Sequence, residues 1–203
     1  RQSAGLDIWF AAYVGSGGNC DDDYGGSDAW NCEEIATTDN FGTSVMLTID
    51  REGVPWIVTG NSTGTDSVAV IKYVESGGSG CGNDAWTCWK VDNAEIFASS
   101  ESESAITVDK NNKVWLSYRE NSLTDIRLFV AEYVGGGAGS GCTSSDWTCT
   151  AVDSQTGDDF GERTALGTDK TGNPVVAYST RGVPGTFNDI RYARYVGSGG
   201  SGC

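Results

Sequence analysis

The stretch "YVESGGSGCGNDAWTCWKV", Tyr73 to Val91, holds the pattern on which the reading of this chain turns. A Tyr-Val pair opens a glycine and serine run, and two cysteines then bracket a tryptophan. The order returns as "YVGSGGNC" from Tyr13, with Trp30 and Cys32 beyond it, as "YVGGGAGSGC" from Tyr133, with Trp147 and Cys149, and as "YVGSGGSGC" from Tyr195. Cys20, Cys81, Cys142 and Cys203 are each 61 residues apart. Self-similarity at a fixed period of this size is the signature of a repeat architecture.

A second block repeats in step with the first. "TIDREGVPWIV" at Thr48 to Val58 returns as "TVDKNNKVWLS" at Thr107 to Ser117 and as "GTDKTGNPVVA" at Gly167 to Ala177. Its period is two: Val45, Leu47 and Ile49 alternate with Ser44, Met46 and Thr48, the pattern of a half-buried strand. An Asp-x-x-Gly turn follows, with Gly53, Asn112 or Gly172 at its fourth position, the residue types that take a positive φ at least cost. Each unit therefore reads as four antiparallel strands, "SVMLTID", "PWIVT", "VAVIKYV" and "WTCWKV" in the first complete one. Four short strands per period of this length suit the blades of a β-propeller-like array, with a row of small sandwiches as the alternative. The expected division is a partial blade over 1–35, blades over 36–91 and 92–152, and a partial blade over 153–203. Propellers close with about four to eight blades. Three periods plus an overlap therefore predict part of a longer repeat chain, copies that complete one another, or successive subunits that extend an array. The strand "NDIRYARYV", Asn188 to Val196, would then be covered by a tryptophan-bearing strand equivalent to Asp84–Val91.

The pattern "TDKTGNPVVAYST…NDIRYARYVG" resembles the blade repeats of secreted bacterial and archaeal propellers, the sialidase-like and NHL-like group. "TIDREGVPW" is similar to the Asp-box of sialidases, with one more residue between Asp50 and Gly53. The resemblance implies a propeller blade fold and names no chemistry, because such repeats serve many functions.

Cys20 with Cys32, Cys81 with Cys88 and Cys142 with Cys149 give one close pair per unit, each straddling the junction of the third and fourth strands. A hairpin staple needs two cysteines, whereas a structural zinc site needs four ligands, so local disulfides are expected. Such bridges persist outside a reducing cytosol, which predicts an extracellular or cell-surface location. Cys203 is the odd cysteine, expected to pair beyond the visible sequence or with another chain. "NST" at Asn61 is a glycosylation sequon on an expected loop.

A net charge of −15 would repel a nucleic-acid backbone or an anionic membrane surface, and no run of about 20 apolar residues is present to span a bilayer. With no histidine, Ser-His-Asp and Cys-His catalysis and histidine metal centres are excluded. The acidic loop "CDDDYGGSD", with Asp21, Asp22 and Asp23, is a weak candidate for calcium, and no other cofactor is expected. Loops after the second strand, "GNSTGT", "RENSLT" and "STRGVPGTFN", vary while the scaffold repeats, as ligand-carrying loops do. Tyr118, Arg119, Tyr178 and Arg181 at their edge are the ligand-binding candidates, for glycans or surface proteins, although the tyrosines suit packing between blades equally. The expected function is a non-enzymatic extracellular repeat module for surface binding, adhesion or assembly, its partners being further copies or the rest of a longer repeat chain. A sialidase-like carbohydrate-active enzyme and a lectin are the alternatives.

Overall fold

A computed structural model describes residues 8–20, 28–35, 41–61, 67–92, 104–121, 126–155, 159–181, 188–198 and 200. These residues form only strands and turns. β1 (Trp9–Tyr13) pairs with β2 (Trp30–Glu34) in a first sheet. The second sheet runs β3 (Phe41–Ile49), β4 (Pro55–Asn61), β5 (Ser67–Tyr73) and β6 (Trp86–Asp92). The third repeats this with β7 (Ala105–Val108), β8 (Val114–Asn121), β9 (Ile126–Tyr133) and β10 (Trp147–Gln155). The fourth comprises β11 (Asp159–Thr168), β12 (Pro174–Arg181) and β13 (Asn188–Arg194). Among the described residues every pairing is antiparallel between neighbours in sequence, and the sheets stack without closing a ring.

The stacking follows from the two faces of each sheet. On β4 and β5, Ile57, Ala69 and Ile71 bury against Ile8 and Ile35 of the first sheet. Their neighbours Val58, Val68 and Val70 point the other way and bury against Leu116, Tyr118 and Phe129 of the third. That sheet in turn presents Trp115, Leu128 and Val130 to Val176, Tyr178 and Ala193 of the fourth. Side chains alternate across a strand, so runs such as "SVAVIKY" are apolar at both parities because both faces are covered.

β3 departs from expectation. Its apolar row Val45, Leu47 and Ile49 is about half exposed, and so is Met46. The first sheet covers β4, β5 and β6 on that side, leaving the face of β3 open.

The turns behave as the sequence requires. Gly53, Asn112 and Gly172 have φ of 84°, 64° and 79°. In each hairpin one aspartate oxygen accepts two backbone N–H bonds: Asp50 from Glu52 and Val54, Asp109 from Asn111 and Lys113, Asp169 from Thr171 and Asn173, all between 2.7 and 3.0 Å. The second oxygen of Asp50 takes the Trp56 indole N–H at 3.0 Å, and that of Asp109 takes Trp115 at 3.3 Å. Neighbouring turns touch as well, since the Arg51 N–H donates to Asn112 Oδ1 at 2.8 Å.

The glycine runs have a steric cause. A Cβ at Gly18, Gly78 or Gly139 would collide with the backbone carbonyl of Trp30, Trp86 or Trp147, because the loop folds flat onto the strand that follows it. The loops are closed by Cys20–Cys32, Cys81–Cys88 and Cys142–Cys149, with Cα–Cα distances of 4.9, 5.2 and 5.1 Å. All three pairings match the sequence reading.

Gly139→Ala should destabilise the fold by about 1–3 kcal/mol through that collision. Gly167→Ala, where a Cβ meets nothing within 4 Å, should change stability by less than about 1 kcal/mol. Urea unfolding of the two variants beside the parent chain measures the contrast.

Candidate functional site

Three of the four candidates, Tyr118, Arg119 and Tyr178, lie at the seams between sheets. The Tyr118 ring is fully buried, stacks on Phe129 with centroids 5.6 Å apart, and donates its hydroxyl to Asp92 Oδ2 at 2.7 Å. Asp92 ends β6 in the preceding sheet, and its other oxygen accepts from Thr143 Oγ1 at 2.9 Å. The arrangement repeats one unit on. Tyr178, also buried, donates to Asp153 Oδ2 of β10 at 2.7 Å, and the same oxygen takes Arg191 Nη1 at 2.9 Å. Each tyrosine is thus a bolt from the second strand of one sheet to the last strand of the sheet before it. Burial, with the Asp92 carboxylate adding to it, pushes the Tyr118 phenol far above its ordinary range, so it stays a protonated donor.

These positions change the sequence reading. Tyr118 and Tyr178 take the packing role, and neither ring is presented at the surface for a ligand. Arg119, expected as a ligand-binding candidate at a loop edge, is 9% exposed and lies on the face of β8 that carries Ser117, whose hydroxyl meets Thr164 Oγ1 across the next seam at 2.8 Å. Arg181 ends β12, its backbone opposite Asp159 and Asn188, and its side chain lies outside the described residues. Asn61 is the last residue of β4, opposite Phe41 and Ser67, so the sequon begins on a strand end; Ser62 and Thr63 lie outside the described residues. Asp21, Asp22, Asp23 and Cys203 also lie outside them. Among the described residues no group of three or more Cys, Asp or Glu side chains is arranged to hold a metal ion.

Asp92 and Asp153 were missed in the sequence, although each stands four residues after the second cysteine of its unit. Glu33 was missed too. Its Oε1 accepts from Asn83 Nδ2 at 2.7 Å and from Trp86 Nε1 at 3.2 Å, joining the first sheet to the second. Position 33 corresponds to Trp89, one residue after the second cysteine, which instead stacks on Trp56 with planes 12° apart. The seams thus share their geometry and differ in their chemistry.

Among the described residues the two buried carboxylates are both committed to this frame: Asp109 to a turn and an indole, Asp153 to a phenol and a guanidinium. At the exposed end of the series, hydrogen bonding from Thr171, supported by the Asn173 N–H and the Arg194 charge, holds Asp169 down to about 2 from 3.8. Arg194 Nη2 lies 2.7 Å from Asp169 Oδ2. For Asp50 burial acts upward, but the bonds from Trp56, Val54 and Glu52 outweigh it and the carboxyl is lowered.

Two outcomes follow from these contacts. Tyr118→Phe removes a bond from a buried phenol to a half-buried carboxylate and should cost about 1–3 kcal/mol in a urea titration at neutral pH. Because Asp169 is depressed when folded, its stabilisation is present above its unfolded value of 3.8 and is lost as pH falls towards about 2. The parent chain should therefore lose more of its urea midpoint between pH 4 and 2 than Asp169→Asn does; equal losses would remove the turn from the account.

No family model matches the chain, and no curated protein does. Among solved structures it is similar to an endo-arabinase from Bacteroides thetaiotaomicron, at 14% identity and a TM-score of 0.42, over 84% of this chain and 68% of that one.

Proposed function

We propose that this chain is a non-enzymatic, extracellular, β-propeller-like repeat module that works by surface binding or by assembly with further repeats. The observation that carries the reading is the use made of its reactive side chains. Tyr118 and Tyr178 bolt sheets together, Asp109 and Asp153 accept from indole, phenol, guanidinium or backbone donors, and six cysteines close loops. A hydrolytic site built on two carboxylates needs at least one of them free to take up or release a proton at the substrate. Asp109 and Asp153 are instead occupied as acceptors, Asp109 by its own turn and Trp115, Asp153 by Tyr178 and Arg191 across the seam. The three disulfides support the extracellular placement, since bridges of this kind survive in oxidising compartments.

The reading is tested on a panel of fluorogenic glycosides, arabinofuranosides included. No turnover is expected; turnover abolished by a single Asp→Asn or Glu→Gln change would overturn the proposal in favour of a carbohydrate-active enzyme. A glycan array run beside it separates a lectin from an assembly module. Replacing Cys142 and Cys149 together by serine should cost about 2.5 kcal/mol in the chain-entropy treatment of a loop this short, and an unreduced digest of secreted protein should recover each of the three pairs.

A further inference from the structure

The tyrosine that opens each glycine loop has a constant partner. Tyr13 meets Trp30, Tyr73 meets Trp86 and Tyr133 meets Trp147, edge to face, with centroids 5.4, 5.1 and 5.2 Å apart and planes at 70°, 67° and 62°. In every case the tryptophan opens the next strand and sits directly opposite the tyrosine in register. Trp86 and Trp147 are fully buried, each turned toward the preceding sheet.

Tyr195 keeps only the other half of this arrangement, the contact that Tyr133 makes with Trp56 of the preceding sheet at 5.1 Å. It tilts onto Trp115 of the third sheet, 5.1 Å away at 53°, and stays nearly half exposed. β13 pairs with β12 alone among the described strands, and Ile190 and Tyr192 on it are 86% and 62% exposed. Between the third and fourth sheets lies a groove of about 680 Å³, lined by Trp115, Val130, Thr150, Val152, Ala193 and Tyr195 among others. At the two preceding seams the corresponding position holds the indole of Trp86 or Trp147.

The geometry points to an acceptor site on β13 for one added antiparallel strand of the pattern Trp-x-Cys, a strand of this same repeat. The inference rests on the assembly reading above and specifies its contact. The register is set by the other sheets. Trp147, Thr148 and Cys149 lie opposite Tyr133, Glu132 and Ala131, so the incoming tryptophan faces Tyr195 and the small residue two positions on faces Ala193. The indole drops into the groove, main-chain bonds supply the affinity along the open edge, and the groove selects the aromatic residue, the division of labour of strand addition. An edge-to-face pair of this kind adds to the burial of the indole itself.

The test uses the whole chain with Cys203→Ser and two synthetic peptides. One covers residues 145–153 with Cys149→Ser; the other also carries Trp147→Ala. Amide exchange is read across Ile190–Tyr195, and sedimentation reports the state of the free chain. The parent peptide should slow exchange of the outward amides of β13 at least tenfold. The alanine peptide should not, and Tyr195→Ala in the chain should abolish the effect. No slowing at saturating peptide, equal slowing by both peptides, or a protected β13 in the free monomer would each overturn the site. If the free chain self-associates, dispersal by the parent peptide supports the inference, identifying a second copy as donor, and an association that the peptide leaves intact refutes it. Glycoside turnover would leave this readout unchanged, and failure of the peptide would leave the functional reading above standing, so the two fail separately.

Discussion

Apolar side chains on both faces of each full sheet are the constraint from which the architecture follows. A sheet with Ile57 and Ile71 on one face and Val58 and Val70 on the other has no side to offer to water. It must be sandwiched, and the sandwiching sheet inherits the same need: Leu116 and Phe129 on one side, Trp115 and Leu128 on the other. Burial contributes about 25 cal/mol per Å² of apolar surface, so the stabilisation is divided among seams more than within sheets, as in other repeat architectures. The glycine loops, staples and turns then serve to bring each chain segment back within reach of its neighbours.

Polar chemistry is added to the seams in a way that tracks the repeat unevenly. Two seams carry the Tyr–Asp bolt. In the seam between the first and second sheets, the position of the tyrosine is held by the buried Thr59, and in the sequence the position of the aspartate is held by Ala36. Both partners change together, as they must, since a phenol or carboxylate buried without its mate costs about 1–3 kcal/mol or more. That seam is joined instead by Glu33, which gathers an amide and an indole. Each seam has its own polar joint on a common apolar plan, a device that favours neighbours meeting in the right order.

Much of this was legible in the chain because it is local. The strands, the positive φ at Gly53, Asn112 and Gly172, and the three cysteine pairs depend on residues a few positions apart. The candidate site was less legible because its partners are distant: Tyr118 finds Asp92 across 26 residues and Tyr178 finds Asp153 across 25. Alternation assigns Tyr118 and Arg119 to opposite faces of β8 but does not say that both faces are covered, so Arg119 reads as a surface residue until the fourth sheet is in place. The exposed row on β3 is the converse case, where the strand pattern is plain and the extent of the covering sheet is not.

The placement of the covalent links has a mechanical consequence. Each disulfide joins residues only 7 or 12 positions apart within one unit, and among the described residues none ties one sheet to another. A chain under tension can therefore pay out nearly all of its contour while the short loops stay shut. What resists extension is the strand ladders within each sheet together with the seams between sheets, each seam with its own polar joint to break. Such a molecule lengthens in steps, dissipating work at every step, and keeps intact the stapled hairpins from which the sheets can re-form when the load is released.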